Sequence, residues 1–321
     1  MTDAMCLQIT FSRYAGGNEG FQFIYMGILE QLKIKYPNIS IIWNNTDDLV
    51  ASGNTVTASF GGVANLSIQN LNTNKCSILS FADIAEVHTY KNHGFDPYHI
   101  VEVFGGLRWG SNEFTAEDIS AKFNFKHHPF PYPVPYADFS SYVQNNRIMY
   151  DPTTRIRKAF FAGMQHAERA ALLQHMRHHP LIDVYDDSVF RHDYYQLMNK
   201  YAIAISLNGN GEWTIRDIEC FGMGIPAIRS ELKAILRHDP VIPDVHYIRG
   251  SVASGIAWMS YPEYTWKQIA DQFIDRIEKV MYEDDFLISV SKAGLDYYEK
   301  YCSNVYIRDL FIKLFDPEIL L

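Results

Sequence analysis

The stretch SLNGNGEWTIRDIECFGMGIPAI, Ser206–Ile228, begins inside an apolar run, AIAISL, that ends at Leu207. Its first half is a turn-rich loop, NGNGEW (Asn208–Trp213). Its second half reads as a short helix. Thr214 followed three residues later by Asp217 has the spacing of a capping box, which starts the helix near Ile215. Gly224 suits the position just past its end, and Pro226 stands where the helix has already stopped. The helix is therefore expected over roughly Ile215–Met223, with a short strand around Pro226–Ile228. Strand, glycine-bearing loop and capped helix, in that order, are the working half of a β-α-β unit.

The same rhythm surrounds the stretch. KAFFAG (Lys158–Gly163) reads as a strand ending in glycine, and ERAALLQHMRHH (Glu168–His179) as a helix stopped by Pro180. LIDVY is the next strand and YYQLMNKY the next helix. Beyond the stretch, Trp266, Ile269, Phe273, Ile277, Val280 and Met281 recur at helical spacing. LISVSKAGLDYYEKYC and VYIRDLFIKLF read as two closing helices. In the first half, MCLQITF (Met5–Phe11), ISIIW (Ile39–Trp43), TVTASF (Thr55–Phe60), CSILSF (Cys76–Phe81) and HIVEVF (His99–Phe104) are expected strands. Phe21, Ile24, Tyr25, Ile28 and Leu32 mark a helix between the first two. KHHPFPYPVPY (Lys126–Tyr136) carries a proline at every second position from Pro129 and is expected to lie outside any sheet or helix. The fold class that follows is α/β, with two Rossmann-like doubly wound domains, residues 1–150 and 151–321, dividing near Asp151 and Pro152.

A chain of 321 residues is longer than one hydrophobic core usually serves, which agrees with two domains. With 47% hydrophobic and 20% charged residues, the composition excludes a disordered chain. The net charge of −9 argues against a nucleic-acid polymer as partner, since such proteins carry a cationic footprint. Cys6, Cys76, Cys220 and Cys302 show neither a disulfide framework nor a metal-ligand spacing. Cys6, Cys76 and Cys220 sit in apolar surroundings, as small buried hydrophobes do. MTDAMCLQITFSR does not read as a signal peptide, and no apolar run is long enough to span a bilayer. A cytoplasmic location is the expectation. The twelve histidines, among them the pairs His127–His128 and His178–His179, show no metal motif and are expected at the surface.

Ligands of open α/β sheets bind beyond the carboxyl ends of the strands, where NGNGEW lies. A helix starting after it points unpaired amides and the positive end of its dipole at the loop, a setting for an anion. Gly209 and Gly211 would admit a diphosphate close to the backbone, Arg216 would add a charge-assisted bond, and Glu219 one turn in would accept from a ribose diol. A plainer alternative exists. Glu212, Arg216 and Glu219 stand at i, i+4 and i+7 and would also make a surface ion-pair ladder. Arg169, near the start of the helix that follows Gly163, is positioned to reach a phosphate or merely to be solvated, and Arg157 and Lys158 are expected as solvated charges. In the first domain, Glu19 follows Gly16–Gly17, and Asp83 follows the strand CSILSF, where a helix N-cap is its alternative role.

DIECFGMGIPAI resembles the donor-binding segment of GT-B fold glycosyltransferases, in which a glutamate binds the ribose and a G-x-P turn leads to the next strand. KYAIAISLNGNGEWTIRDIECFGMGIP also resembles the nucleotide-sugar segment of fucosyltransferases and protein O-glucosyltransferases, and FFAGMQHAER their strand–Gly–Arg passage into the second domain. The likeness covers roughly residues 155–230. It implies two domains facing a cleft, with a UDP- or GDP-linked sugar on the second and a carbohydrate or glycoprotein acceptor on the first. The activity implied is hexosyl or pentosyl transfer, with helix amides and cations in place of a metal and no further cofactor. Gly163, Arg169, Asn210, Gly211, Glu212, Thr214, Arg216 and Glu219 would then bind the donor, with Asp83 or Glu19 as the base. Many retaining members carry another glutamate where Gly211 stands; here Glu212 is next door. A nucleotide-sugar epimerase of the same fold and a non-catalytic nucleotide-sugar-binding protein are the competing readings.

Overall fold

The computed structural model describes residues 6–12, 30, 33–34, 40–46, 65–70, 73, 75–80, 100–105, 126–129, 139–163, 165, 167–185, 189–208, 214–232, 239–252 and 265–314. The chain divides into two units. One comprises Met1–Asp138, Ile235–His238 and Asn304–Leu321, the other Phe139–Ala234 and Asp239–Ser303.

The first unit holds β1 (Cys6–Ser12), β2 (Ser40–Thr46), β3 (Asn65–Asn70), β4 (Cys76–Ser80), β5 (Ile100–Gly105) and β6 (Lys126–Pro129) in one sheet, ordered β2-β1-β3-β4-β5-β6. β1–β2, β4–β5 and β5–β6 pair in parallel. β3 runs antiparallel to both of its neighbours, with Ile9 opposite Ile68 and Leu66 opposite Leu79. The sheet is thus mixed rather than wholly parallel. A second correction concerns the proline-rich segment: its first four residues, Lys126–Pro129, are strand. They occupy the sheet edge, and the proline closes the strand, where a missing amide donor is tolerated. The expected strand Thr55–Phe60 and the residues marking the first helix lie outside the described residues.

The second unit alternates strand and helix as its sequence requires. It contains α1 (Phe139–Asn146), β7 (Ile156–Ala162), α2 (Ala167–Met176), β8 (Ile182–Tyr185), α3 (Arg191–Lys200) and β9 (Tyr201–Ile205). α4 (Ile215–Gly222), β10 (Ala227–Ser230), β11 (Ile248–Ser251), α5 (Trp266–Val280) and α6 (Asp284–Tyr297) follow, and α7 (Asn304–Leu314) is assigned to the first unit. All pairings in its sheet are parallel, in the order β11-β10-β9-β7-β8. Numbered within the unit, that order is the flavodoxin-like doubly wound one, 2-1-3-4-5, whose switch point lies between β7 and β9.

Both faces of this sheet are covered, which is why its strands read as continuous apolar runs. On one face Ala159, Phe161, Ile203, Ile205, Ile228 and Ile248 join Leu172, Leu173 and Met176 of α2 and Ile269, Ala270, Phe273 and Ile277 of α5 in one buried cluster. On the other, Phe160 meets Tyr194 of α3 at 6.0 Å and Tyr201 at 5.0 Å between ring centroids. Phe139 of α1 meets Tyr195 at 5.5 Å, so α1 packs with this unit although it precedes the 150/151 division expected from the sequence.

Candidate functional site

α4 begins and ends on the signals its sequence carries. Thr214 is the N-cap: its Oγ1 accepts from the Asp217 amide at 3.4 Å, and its own amide donates to Asp217 Oδ2 at 2.8 Å. At the other end Gly224, at φ 63°, supplies the left-handed residue of a Schellman motif. The Ile225 amide donates to Cys220 O and the Gly224 amide to Phe221 O, both at 3.0 Å. These two caps fix where the helix starts relative to β9, and hence what its first turn presents beyond the switch point.

Beneath that first turn lies a buried polar network. Asp217 is completely buried and accepts from Ser206 Oγ at 2.7 Å and Thr214 Oγ1 at 3.0 Å. Arg229 of β10, 1% exposed, donates from Nη1 to Asp217 Oδ2 at 2.5 Å and from Nη2 to Asn208 Oδ1 at 3.2 Å. A carboxylate in the core needs such a cation, because an unpaired buried charge is expensive. The bond from Arg229 also settles which way the Asn208 carboxamide faces. Its oxygen is engaged, and its Nδ2, itself buried, has no acceptor among the described residues.

Two further arginines converge at the switch point. Arg169 of α2 donates from Nε to Asn208 O and from Nη2 to Leu207 O, each at 3.0 Å, and so grips the end of the β9 strand run. Burial, then the neighbouring Arg216 charge, brings its pKa down to about 10. Arg216 of α4 lies over the Phe161 ring at 4.7 Å and the Tyr194 ring at 5.4 Å. It is partly exposed as a residue, yet its Nε and Nη1 are buried without an acceptor among the described residues. Gly163, directly after β7, has φ 151°, and a Cβ there would land on the Arg216 guanidinium. Glycine is needed at that point for both reasons.

Glu219 is 7% exposed and accepts from the Tyr195 hydroxyl at 2.9 Å. That corrects the surface placement in the ladder alternative: Glu219 is buried, and its carboxylate acts on the Arg216 charge from there. Arg157 and Lys158 are not free solvated charges either: Arg157 pairs with both oxygens of Asp284, and Lys158 with Asp183 at 2.8 Å. His246 is partly buried against Tyr297, at 5.0 Å between rings, instead of standing at the surface, and burial lowers its pKa. Cys220 and Cys302 are buried free thiols.

Of the residues singled out from the sequence, the structure brings Gly163, Arg169, Thr214, Arg216 and Glu219 together around the first turns of α4. Thr214 serves there as the cap. Asn210, Gly211 and Glu212 lie outside the described residues, as do Glu19 and Asp83. Sequence reasoning did not single out Asn208, Arg229, Tyr194 or Tyr195, and gave Asp217 only a capping role. Arg229 had a signal: a lone arginine in the apolar run IPAIRS implies a buried partner. Among the described residues, no group of three or more His, Cys, Asp and Glu side chains converges as a metal site, and no helix is long and apolar enough to cross a membrane.

No family model and no curated protein matches the chain. Among solved structures it is similar to the pneumococcal O-GlcNAc transferase GtfA in complex with UDP and GlcNAc, at 14% identity and a TM-score of 0.39, over 65% of this chain and 44% of that one. It is also similar to WaaG, a glycosyltransferase involved in lipopolysaccharide biosynthesis, at 9% identity and a TM-score of 0.43, over 94% and 97% of the two chains. A third similar structure is the GtfA/B complex, at 11% identity and 0.38, over 68% and 45%. The chain thus spans less than half the length of the GtfA chain it matches. The functional reading rests on the residues at the switch point.

Proposed function

We propose that the chain is a glycosyltransferase that takes its sugar from a UDP- or GDP-linked donor and passes it to a hydroxyl of a glycan or glycoprotein. Arg216 carries the reading: its Nε and Nη1 are buried without an acceptor among the described residues, at the switch point of a parallel sheet. A diphosphate supplies acceptor oxygens for those nitrogens, and negative charge in addition to that of Glu219, whose carboxylate already acts on Arg216. Arg169 adds a second cation beside it, and the first-turn amides of α4 point the same way by helix geometry. Glu219, one turn further in, is the proposed ribose acceptor, held by Tyr195.

In the transfer, the bond from the sugar C1 to the β-phosphate oxygen breaks, and a bond from C1 to the acceptor oxygen forms. Negative charge develops on the departing diphosphate, where cations already in place stabilise it without reorganising. That is why the reading needs no metal at the diphosphate. The acceptor proton passes to a carboxylate, for which Asp83 is the first candidate and Glu19 the second. Screening UDP- and GDP-linked hexoses and pentoses as donors identifies the group moved.

Titration calorimetry with UDP and with GDP tests the reading. One of them is expected to bind the parent chain and to lose affinity in R216M; binding of neither rejects it. Released nucleoside diphosphate together with a glycosylated acceptor identifies a transferase, whereas an altered free sugar nucleotide identifies an epimerase. Binding alone identifies a binding module.

A further inference from the structure

Arg229 is the largest fully buried side chain of the described residues, and every nitrogen of its guanidinium is engaged. Nη1 goes to Asp217, Nη2 to Asn208, and Nε to the Ser230 carbonyl at 3.1 Å, with the Tyr247 ring 5.7 Å away. Stability alone is a weak reason for such an arrangement, because well-packed apolar residues often replace a buried ion pair at no loss. Location supplies a better reason. Asp217 is the third residue of α4 and sits beneath the helix end proposed to hold a diphosphate. Its carboxylate is close enough to Arg169 to favour the charged form of that group, against burial and the repulsion from Arg216. Left to itself, this anion would oppose a second anion at the same helix end.

Resting on the donor-site reading above, we infer that Arg229 is a positioning residue that cancels the Asp217 charge, so that the carboxylate caps α4 without weakening the hold of Arg216 and Arg169 on a diphosphate. Asp217 is needed for its bonds: it takes the Thr214 amide and the Ser206 hydroxyl and so locks the helix start onto β9. Its charge is a by-product at the wrong place. Arg229 reaches it from β10. With Asp217 paired to Arg229, less of the charge on Arg216 and Arg169 is offset at the site; Glu219, which acts on Arg216, is the proposed ribose acceptor.

The test is a cycle of D217N, R229Q and D217N/R229Q, with UDP and GDP as probes in calorimetry at two salt concentrations and melting curves alongside. Asn and Gln keep hydrogen-bonding groups at both positions. D217N leaves the Arg229 cation uncompensated, and the nucleoside diphosphate should bind about three- to ten-fold tighter with a steeper salt dependence. R229Q leaves the carboxylate uncompensated and should bind about ten-fold more weakly. In the double variant the two changes should cancel to within about three-fold of the parent. Either single variant gives the sign, so loss of one to misfolding leaves the other as the test. A purely structural pair would lower the melting temperature of both single variants without shifting affinity in opposite directions. That result, or a double variant as tight as D217N, overturns the inference while the donor site stands. A parent chain that binds neither nucleotide overturns both.

Discussion

The two ends of the second sheet carry the same kind of side chain and put it to opposite use. At the amino end, Arg155 is buried and closed: Nη1 donates to Met198 O at 2.5 Å and Tyr201 O at 3.3 Å, and Nη2 to Ile148 O at 3.5 Å. Arg157 and Lys158 beside it are matched to Asp284 and Asp183. At the carboxyl end, Arg216 has two buried nitrogens without an acceptor among the described residues, and Arg169 stands close enough to repel it. The protein can therefore saturate a buried arginine and does so at one end. At the other end no described residue accepts from those two nitrogens, and a buried donor without an acceptor is costly. The diphosphate proposed for the switch point would supply that acceptor.

The comparison breaks most readily on a paired substitution. R155M strands carbonyls of Ile148, Met198 and Tyr201, and should cost about 3 kcal/mol of stability while leaving nucleoside-diphosphate affinity within about two-fold. R216M removes two donors that no described residue accepts from, and with them the cation acting on Glu219, so its stability should stay within about 1 kcal/mol of the parent. Its affinity for the nucleoside diphosphate should fall about 100-fold, the worth of one or two charge-assisted bonds. Urea melts and calorimetry on the two variants decide it. Were R216M the less stable protein and R155M the weaker binder, the two ends would have been assigned the wrong way round.

What was legible in the sequence follows the same division between local and distant causes. The caps of α4 were legible because Thr214, Asp217 and Gly224 act within one or two turns of themselves. The strands β7 and β9 were legible because burial on both faces leaves unbroken apolar runs. β3 was not: Asn65–Asn70 offers only Leu66 and Ile68 between polar residues, and its place is set by β1 and β4 on either side. β11, at Ile248–Ser251, is four residues long with Arg249 and Gly250 at its centre, and it is held by pairing to β10. The candidate site divides likewise. Gly163, Arg169, Arg216 and Glu219 announced themselves by lying after strands or at a helix start. Asn208 and Arg229 matter through each other, and a contact spanning two strands leaves no periodic trace.

Glu219 sharpens the contrast at the open end. Its carboxylate is buried and already accepts from Tyr195, so the residue has both a structural tie and a proposed ligand. E219A should weaken nucleoside-diphosphate binding by roughly 1.5–3 kcal/mol and the fold by about 1 kcal/mol, the latter for the stranded Tyr195 hydroxyl. Y195F isolates the structural share: it removes the tie, leaves the carboxylate, and should cost less than about five-fold in affinity. Equal losses in the two variants would mean that Glu219 acts only through Tyr195, and the ribose role would fall.

The smallest effect belongs to the amino end and concerns pH. Asp183 accepts from Lys158 at 2.8 Å and from the Tyr201 hydroxyl at 2.7 Å. Partial burial raises its pKa, but the bonds from Lys158 and Tyr201 outweigh that and hold it below the ordinary carboxylate value. A carboxyl whose folded-state pKa is depressed adds stability above its unfolded-state pKa and loses it as pH falls through the folded one. The site is about a third exposed, with the Asp183 side chain at 33% and Lys158 at 37%, so solvent screens the pair. D183N should then cost no more than about 1 kcal/mol at neutral pH. That gap between parent and variant should hold from pH 8 to about pH 5, start to narrow near the unfolded-state value of about pH 4, and go on narrowing as pH falls through the lower folded-state one. Urea midpoints at pH 7, 5 and 3 measure it. A gap as wide at pH 3 as at pH 7 would show that Asp183 works through the shape of its hydrogen bonds and not through charge, and the closed end of the sheet would owe its stability to carbonyl-saturated Arg155 and not to ion pairs.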